Sequence, residues 1–128
     1  MFQLWYDMNT RRPGDGRPVL FVRFYATSPG NEPVRQWLLG LSPRDRLAVG
    51  IDIKAVQYGW PLGMPLVRKL DPGLWEVRSH IVDGSARVVF TVEGPSMVLL
   101  HGFVKKSGNM PAPDLRIARQ RARDLRKG

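Results

Sequence analysis

The segment LWEVRSHIVDGSARVVFTVEGPSMVLLHGFVKK, residues 74–106, organises the chain because it contains three consecutive strand patterns separated by short turns. Asp83-Gly84 is a strong signal for a two-residue hairpin turn, since aspartate and glycine reach the positive φ that its central positions need. We therefore place the first turn at Asp83-Gly84, with Val82 facing Ser85. A second turn follows at residues 93–96, and the third strand ends on two lysines. The segment predicts an antiparallel ribbon.

Alternation along this ribbon predicts one polar and one apolar face. The first turn fixes three pairs on the polar face: Glu76 with Thr91, Arg78 with Val89, and His80 with Arg87. The other face collects apolar side chains, namely Trp75, Val77, Ile81, Ala86, Val88, Phe90 and Val92. This pattern is typical of an antiparallel sheet that packs one face on the core and leaves the other open to solvent.

The polar face carries several cations. Arg78, His80 and Arg87 lie on it, and Lys105 and Lys106 follow at the end of the third strand. Each residue alone is explained equally well as a solvated side chain on an open face. Together they fit an anionic ligand, since an arginine guanidinium can bind two oxygens of one phosphate. We therefore expect the functional site on this face.

The whole chain is strongly basic. Its 128 residues include 20 Lys and Arg against 11 Asp and Glu, which gives a net charge of +9. Residues 104–128 alone contain eight basic and two acidic residues. An excess of this size indicates a polyanionic partner, of which nucleic acid is the usual one, and an acidic protein is the alternative.

Composition also limits the class of protein. With 43% hydrophobic residues, the chain can build one folded domain. It has no cysteine, which excludes disulfides and thiolate metal sites and suits a reducing cytoplasm. Two histidines without a close carboxylate pair offer little to a metal ion, so we expect no metal and no other cofactor. No apolar run reaches the roughly 18 residues of a membrane span, and we see no secretory signal.

Two helices should precede the ribbon. Residues 1–18 read as an N-terminal extension and residues 19–128 as one domain, which opens with a strand at residues 19–26. The first helix begins at Pro33 and has one apolar face formed by Val34, Trp37, Leu38 and Leu41. The second is capped by Ser42 and has an apolar stripe formed by Leu47, Ile51, Ala55 and Tyr58. We expect this helical hairpin to cover the apolar face of the ribbon.

The end of the chain should add a buried strand and a basic helix. Residues 97–104, MVLLHGFV, are nearly all apolar, as expected of a central strand covered on both faces. His101 interrupts this run, and we interpret it as a hydrogen-bonded structural residue, with a catalytic or ligand role as the alternative. From Asp114 a helix follows with five arginines around a narrow apolar stripe. These arginines either contact RNA or an acidic partner, or simply face solvent.

Three segments of the chain together resemble a known family. They are YATSPGNEPVRQWLLGL at residues 25–41, DIKAVQYGWPLGMPLVRKLDPGLWEVRS at residues 52–79, and ARVVFTV with MVLLHGFVKKSGNMP between residues 86 and 111. Their order and spacing are similar to those of the phage-derived branch of the RelE/HigB toxin superfamily, and the resemblance covers roughly residues 20–127. The motifs WPLGMP, GLWEVR and LLHGFVKK are specific in combination.

The resemblance implies a RelE-like α+β fold, with two N-terminal helices packed on a twisted antiparallel sheet of about four strands and a basic C-terminal helix. It implies the toxin of a type II toxin–antitoxin pair, a cytoplasmic endoribonuclease that cleaves messenger RNA in the ribosomal A site. The implied partners are a helix-turn-helix antitoxin, messenger RNA and the ribosome. Operator DNA would be contacted only through the antitoxin, and no membrane is involved.

By position, the catalytic candidates are Arg78, His80, Lys105 and Lys106. Metal-independent cleavage needs one group to take the 2′-hydroxyl proton, one to protonate the leaving 5′-oxygen, and cations for the charge on the phosphate. We assign Arg78 and Lys106 to the phosphate and His80 to proton transfer, because imidazole ionises near neutral pH. Lys105 is the alternative for proton transfer, since neighbouring cations would lower its pKa. The RNA-binding candidates are Arg68, Lys69, Arg87, Arg116, Arg119 and Arg123.

The chain departs from better-known relatives in one respect. Several of them carry a tyrosine or histidine near the C-terminus that stacks on or protonates the substrate, whereas the segment after Lys106 has no Tyr, His or Trp. Two other functions therefore stay open. One is a non-catalytic relative that binds RNA, DNA or an antitoxin through the same face, and the other is a structural protein whose basic helix binds an acidic partner.

Overall fold

The computed structural model describes residues 16–106 and 108–127 of the chain. Within these residues the elements follow in the order β1 (Phe21–Phe24), α1 (Pro33–Gly40), α2 (Pro43–Gly59), β2 (Val67–Asp71), β3 (Leu74–Ile81), β4 (Gly84–Glu93), β5 (Ser96–Lys105) and α3 (Ala112–Lys127). The α+β class and the three strands of residues 74–106 are as predicted. Most of the predicted N-terminal extension, residues 1–15, lies outside the described residues.

The strands form one mixed sheet in the order β1-β5-β4-β3-β2. Neighbours from β5 to β2 are antiparallel, but β1 pairs with β5 in parallel. The predicted sheet of about four antiparallel strands is therefore wrong in strand number and in one strand direction. β2 was missed because VRKLD is short and has no alternating pattern. β1 can be parallel to β5 because α1, α2 and three strands connect them, and parallel neighbours need a long connection.

The turn between β3 and β4 lies one residue earlier than predicted. The observed pairs are Glu76 with Val89, Arg78 with Arg87, and His80 with Ser85, in place of the expected Thr91, Val89 and Arg87. Gly84 has a φ of 145° but opens β4, where a Cβ would lie 2.9 Å from the carbonyl oxygen of Lys105. Glycine is thus needed for the close approach of β5, not for a type I′ turn. Each partner shifts by two residues, so every side chain keeps its predicted face.

The α1–α2 hairpin covers the apolar face of the sheet, as predicted. The core between them contains buried side chains from all five strands and both helices, among them Val22, Val34, Leu38, Ile53, Val67, Val77, Val88, Phe90 and Leu99. α1 uses the predicted face, since Val34 and Leu38 are fully buried and Trp37 and Leu41 pack against the core. Trp37 lies so close to Gly102 of β5 that any Cβ at that position would collide with the indole ring.

The apolar stripe predicted for α2 is wrong. Leu47 is 65% exposed and Ile51 is 58% exposed, whereas Val49 and Ile53 are fully buried. In the observed orientation of the helix, Arg46 turns toward α1. Its guanidinium donates hydrogen bonds of 3.1–3.2 Å to three carbonyl groups at the C-terminal end of α1, those of Leu38, Leu39 and Leu41. The last carbonyls of a helix lack partners within the helix, so these bonds join the two helices at that point.

The last helix covers part of the opposite face of the sheet. α3 contributes Ala118 and Ala122 to a second apolar cluster, which includes Tyr25, Leu74, Val89, Val98, Leu100 and Phe103. The small side chains of Ala118 and Ala122 let the helix approach the strands closely. One end of this sheet face stays outside the cluster, and the cations predicted from the sequence lie there. In the described part of the chain, no helix is long and apolar enough to cross a membrane.

Candidate nucleic-acid interface

Four adjacent strands place charged side chains on the sheet face opposite the helical hairpin. We call this set the basic face; its members are Arg68, Glu76, Arg78, His80, Arg87 and Lys105. Their positions follow from strand pairing: Arg68 of β2 faces Glu76, Arg78 faces Arg87, and Ser85 lies between His80 and Lys105. Strand alternation keeps all of these side chains on one side of the sheet. The structure thus brings Arg68, Arg78, His80, Arg87 and Lys105 together.

A buried ion pair lies at the centre of the basic face. The Arg87 guanidinium donates from Nη1 to Oε2 of Glu76 at 2.8 Å and from Nε to the Ser85 hydroxyl at 3.0 Å. The Glu76 side chain is fully buried and the Arg87 side chain is 7% exposed. The bonds from Nη1 and Nε therefore hold the Arg87 guanidinium in one orientation, which a surface arginine does not keep by itself.

Arg78 lies directly opposite Arg87 across the β3–β4 pair. Its Nη1 donates to the sulfur of Met64 at 3.3 Å, and its backbone N–H donates to the carbonyl of Leu66. Two like charges directly opposite each other on neighbouring strands destabilise a sheet. An anion bound between the two guanidinium groups would relieve this repulsion.

Lys105 completes the cluster at the end of β5, and it is only 8% exposed. Burial lowers the pKa of the Lys105 amine, and the nearby charges of Arg87, Arg68 and Arg78 lower it further, while Glu76 acts in the opposite direction. The expected lowering of this pKa by neighbouring cations is confirmed, although burial is the larger cause. A lysine with a lowered pKa has a larger fraction of neutral amine at a given pH than an ordinary surface lysine, and the neutral amine is the proton acceptor.

Three other candidates lie around or away from this cluster. His80 is exposed near the end of β3, and Lys106 is exposed immediately after β5. Lys69 pairs with Trp75, whose ring packs against the main core, so it lies on the opposite sheet face from Arg68. The sequence suggested that Arg68 and Lys69 guide RNA together, but a strand directs consecutive side chains to opposite faces.

The arginines of α3 divide into three kinds. Arg119 binds Asp71 of β2 through two hydrogen bonds of 2.6 and 3.1 Å, and this contact lowers the pKa of the Asp71 carboxyl. Arg121 points to the sheet, donates to the carbonyl of Leu100 at 2.8 Å and lies over the ring of Tyr25. Arg116, Arg123 and Arg126 are exposed. These three are therefore the arginines of the helix most available to a polyanion.

His101 is part of the connection between β5 and α3. Its Nε2 lies 2.7 Å from Oδ1 of Asp114, and its ring stacks on Phe103 at a centroid distance of 5.7 Å. The contact with Asp114 joins the first turn of α3 to the strand beneath it. This arrangement agrees with the interpretation of His101 as a hydrogen-bonded structural residue.

Glu76 is the member of the basic face to which sequence analysis gave no role. The sequence places it on the polar face, where it looks like an ordinary solvated carboxylate. Its burial depends on β2 and β4, which flank β3 and bring Arg68 and Arg87 next to it. The only local signal was a carboxylate in the middle of a strand whose polar neighbours are cations.

Residues 36–123 match the family described as Phage derived protein Gp49-like (DUF891). The matched span covers well over half of the chain. It runs from within α1 to within α3 and contains every residue of the basic face. No curated protein matches the chain at a significant level.

Proposed function

This chain belongs to the phage-derived Gp49-like family, and from that membership and its basic face we propose that it is the toxin of a type II toxin–antitoxin pair. In this proposal it is a RelE/HigB-like endoribonuclease that cleaves messenger RNA on the translating ribosome, without a metal, in the cytoplasm. Its partners would be the RNA, the ribosome and a helix-turn-helix antitoxin. The observation that carries the proposal is the direct opposition of Arg78 and Arg87 beside a buried lysine.

The geometry suits binding of a phosphate. Arg78 and Arg87 face each other on neighbouring strands, and Arg68 lies beside them on β2. The carboxylate of Glu76 bonds Arg87, and its charge also acts on Lys105. A phosphate in the cleavage transition state gains negative charge, which fixed guanidinium groups stabilise without having to reorganise. Arg78 and Arg87 are therefore the phosphate-binding residues in this proposal.

The cleavage reaction balances with protein groups alone. The ribose 2′-oxygen attacks the adjacent phosphorus and loses its proton to a base, while the bond from phosphorus to the 5′-oxygen breaks. The products are a 2′,3′-cyclic phosphate and a 5′-hydroxyl that has received a proton from an acid. Lys105, with its lowered pKa, fits the base. His80 is exposed on the same face and fits the acid, and Lys106 adds positive charge at the strand end.

Induced expression in bacteria tests this function. We expect the wild-type chain to arrest growth and to produce cleavage within translated codons, mapped by primer extension. Arg78→Ala and His80→Ala should each reduce cleavage by about 100-fold or more, the range that loss of one charge-stabilising or proton-transfer group produces. Arg23→Ala is the matched control, because Arg23 lies on β1 at the far edge of the sheet, 3.6 Å from Glu93.

Two results would contradict the proposal in different ways. If both variants are as toxic as the wild type, the site assignment fails. If the wild type leaves transcripts intact, the nuclease function fails, and binding of RNA or an antitoxin through the same face becomes the better account. The exposure of Arg68 and His80 on the basic face is the observation that favours this second function, since exposed cations can bind a polyanion without cutting it.

A further inference from the structure

The ion pair with Arg87 uses one of the two carboxylate oxygens of the buried Glu76 side chain. Oε2 accepts the hydrogen bond from Arg87 at 2.8 Å, but Oε1 is buried and has no hydrogen-bond partner among the described residues. A buried acceptor without a partner destabilises the folded state, and more so if the group is charged. A buried ion pair is also a weak source of stability, because apolar residues of similar size often do better. Stability alone therefore gives a poor account of a glutamate at this position.

Besides binding Arg87, the charge of Glu76 acts on the amine of Lys105. The groups that face the Lys105 amine are Arg87 from β4, Glu76, Arg78 and His80 from β3, and Arg68 from β2. On the α3 side, Asp114 is bound to His101 farther along β5. Glu76 is thus the carboxylate within this group of cations. Removing it would leave the two most buried cations, Arg87 and Lys105, with nothing to offset their repulsion.

We propose that Glu76 is a positioning residue of the basic face, whose buried carboxylate holds the Arg87 guanidinium in place and keeps the Lys105 amine next to it. In the reaction proposed above, on which this role rests, Arg87 then meets the RNA phosphate while Lys105 takes the proton of the 2′-hydroxyl. Glu76 is fully buried and does not itself touch the RNA. It acts through Arg87 and Lys105.

The test is a pH titration of the Lys105 amine in the full chain. NMR of protein labelled with carbon-13 in its lysines monitors this titration. The chain has five lysines, few enough to assign each signal by substitution. Glu76→Gln removes the negative charge and nearly keeps the shape. Glu76 raises the pKa of Lys105, so this variant should titrate at lower pH than the wild type. Glu93→Gln is the matched control: Glu93 also lies on the sheet, paired with Arg23, and its loss should leave Lys105 unchanged.

A double variant separates the electrostatic role from a merely structural one. Arg87 lowers the pKa of Lys105 more strongly than Glu76 raises it. Glu76→Gln/Arg87→Gln should therefore move the titration of Lys105 to higher pH, opposite to Glu76→Gln alone. It also removes both buried charges, so it keeps the test valid if the single variant does not fold. Equal titration of Lys105 in wild type and Glu76→Gln, or shifts of the same sign in both variants, would overturn the proposal.

RNA cleavage supplies the readout that depends on the reaction. If Lys105 is the base, the rising limb of the pH–rate profile should move to lower pH in Glu76→Gln, and the maximal rate should fall because Arg87 is no longer held. In Glu93→Gln, the rising limb of the pH–rate profile should lie at the same pH as in the wild type. If the protein cuts no RNA, only the nuclease function is refuted. The titration of Lys105 still shows whether Glu76 controls the pKa of this amine.

Discussion

At the scale of single residues, the cations of the basic face differ in how deeply they are buried. Arg87 and Lys105 are buried in the sheet, whereas Arg68 and His80 are exposed on it. Buried groups have fixed positions and altered proton affinity, which suits a role at the reacting phosphate. Exposed groups keep the mobility and hydration that suit contact with a long backbone. The neighbours Arg68 and Lys69 offer a direct comparison, because they carry the same charge on opposite sheet faces.

Arg68→Ala should weaken binding of single-stranded RNA more than Lys69→Ala. Arg68 lies beside Glu76 on the basic face, while Lys69 lies on the side of the helical hairpin. A lost phosphate contact also lowers the slope of log affinity against log salt concentration by about one. Fluorescence anisotropy over a range of salt concentrations measures both quantities. Equal losses in the two variants would mean that overall charge, not the basic face, attracts the RNA.

At the scale of elements, α2 shows why a correct helix can be placed in a wrong orientation. Its sequence contains two apolar stripes, and the one that sequence analysis selected faces outward. Helical spacing identifies a stripe but does not say which of two stripes meets the sheet. Packing makes that choice: in the folded hairpin Val49 and Ile53 face the core, and Arg46 bonds the end of α1. These contacts join separate elements, so the pattern of α2 alone does not contain them.

The two stripes of α2 should differ sharply in their contribution to stability. Ile53→Ala should lower the free energy of unfolding by about 2–5 kcal/mol, because it removes a fully buried side chain from the core. Leu47→Ser and Ile51→Ser should each change it by no more than about 0.5 kcal/mol, since both side chains are more than half exposed. Urea unfolding followed by circular dichroism gives these values. A large loss for Leu47→Ser would show that the outward stripe is covered.

At the scale of the whole molecule, Lys105 links stability to pH. Burial and the charge of Arg87 lower its pKa below the ordinary value of 10.5. The unfolded chain therefore keeps a proton on this amine at pH values where the folded protein has released it. Stability rises with pH wherever the unfolded state binds more protons. Below the pKa of Lys105 in the folded protein, the folded state carries the whole cost of burying the charged amine. This cost declines as the pH rises from that pKa toward 10.5.

Lys105→Met should accordingly be more stable than the wild type at neutral pH, with an advantage that shrinks as the solution becomes alkaline. The methionine keeps an unbranched side chain but carries no charge into the sheet. Lys106→Met is the matched control, because Lys106 is exposed and should show no such pH dependence. Urea unfolding at a series of pH values measures the difference. A constant difference between Lys105→Met and the wild type would exclude a titrating lysine as its cause.

Local sequence patterns were enough to predict the ribbon of residues 74–106 and the side of the sheet on which each of its residues lies. Alternation has a period of two, so even a pairing displaced by two residues leaves Arg78, His80 and Arg87 on one face. Pro33 at its first position and its single apolar face placed α1 correctly for a similar reason. These are local properties, fixed by the backbone geometry of a few neighbouring residues.

Which of these residues meet depends instead on how the elements pack. Arg78 faces Arg87 in the observed register, in which Gly84 opens β4 and lies against the carbonyl of Lys105 on β5. β2 brings Arg68 to Glu76, and α3 covers the rest of the same sheet face. The parallel direction of β1, the buried stripe of α2 and the burial of Glu76 likewise depend on contacts between residues far apart in the chain. No local pattern encodes such contacts, because their energy arises only when the elements pack together.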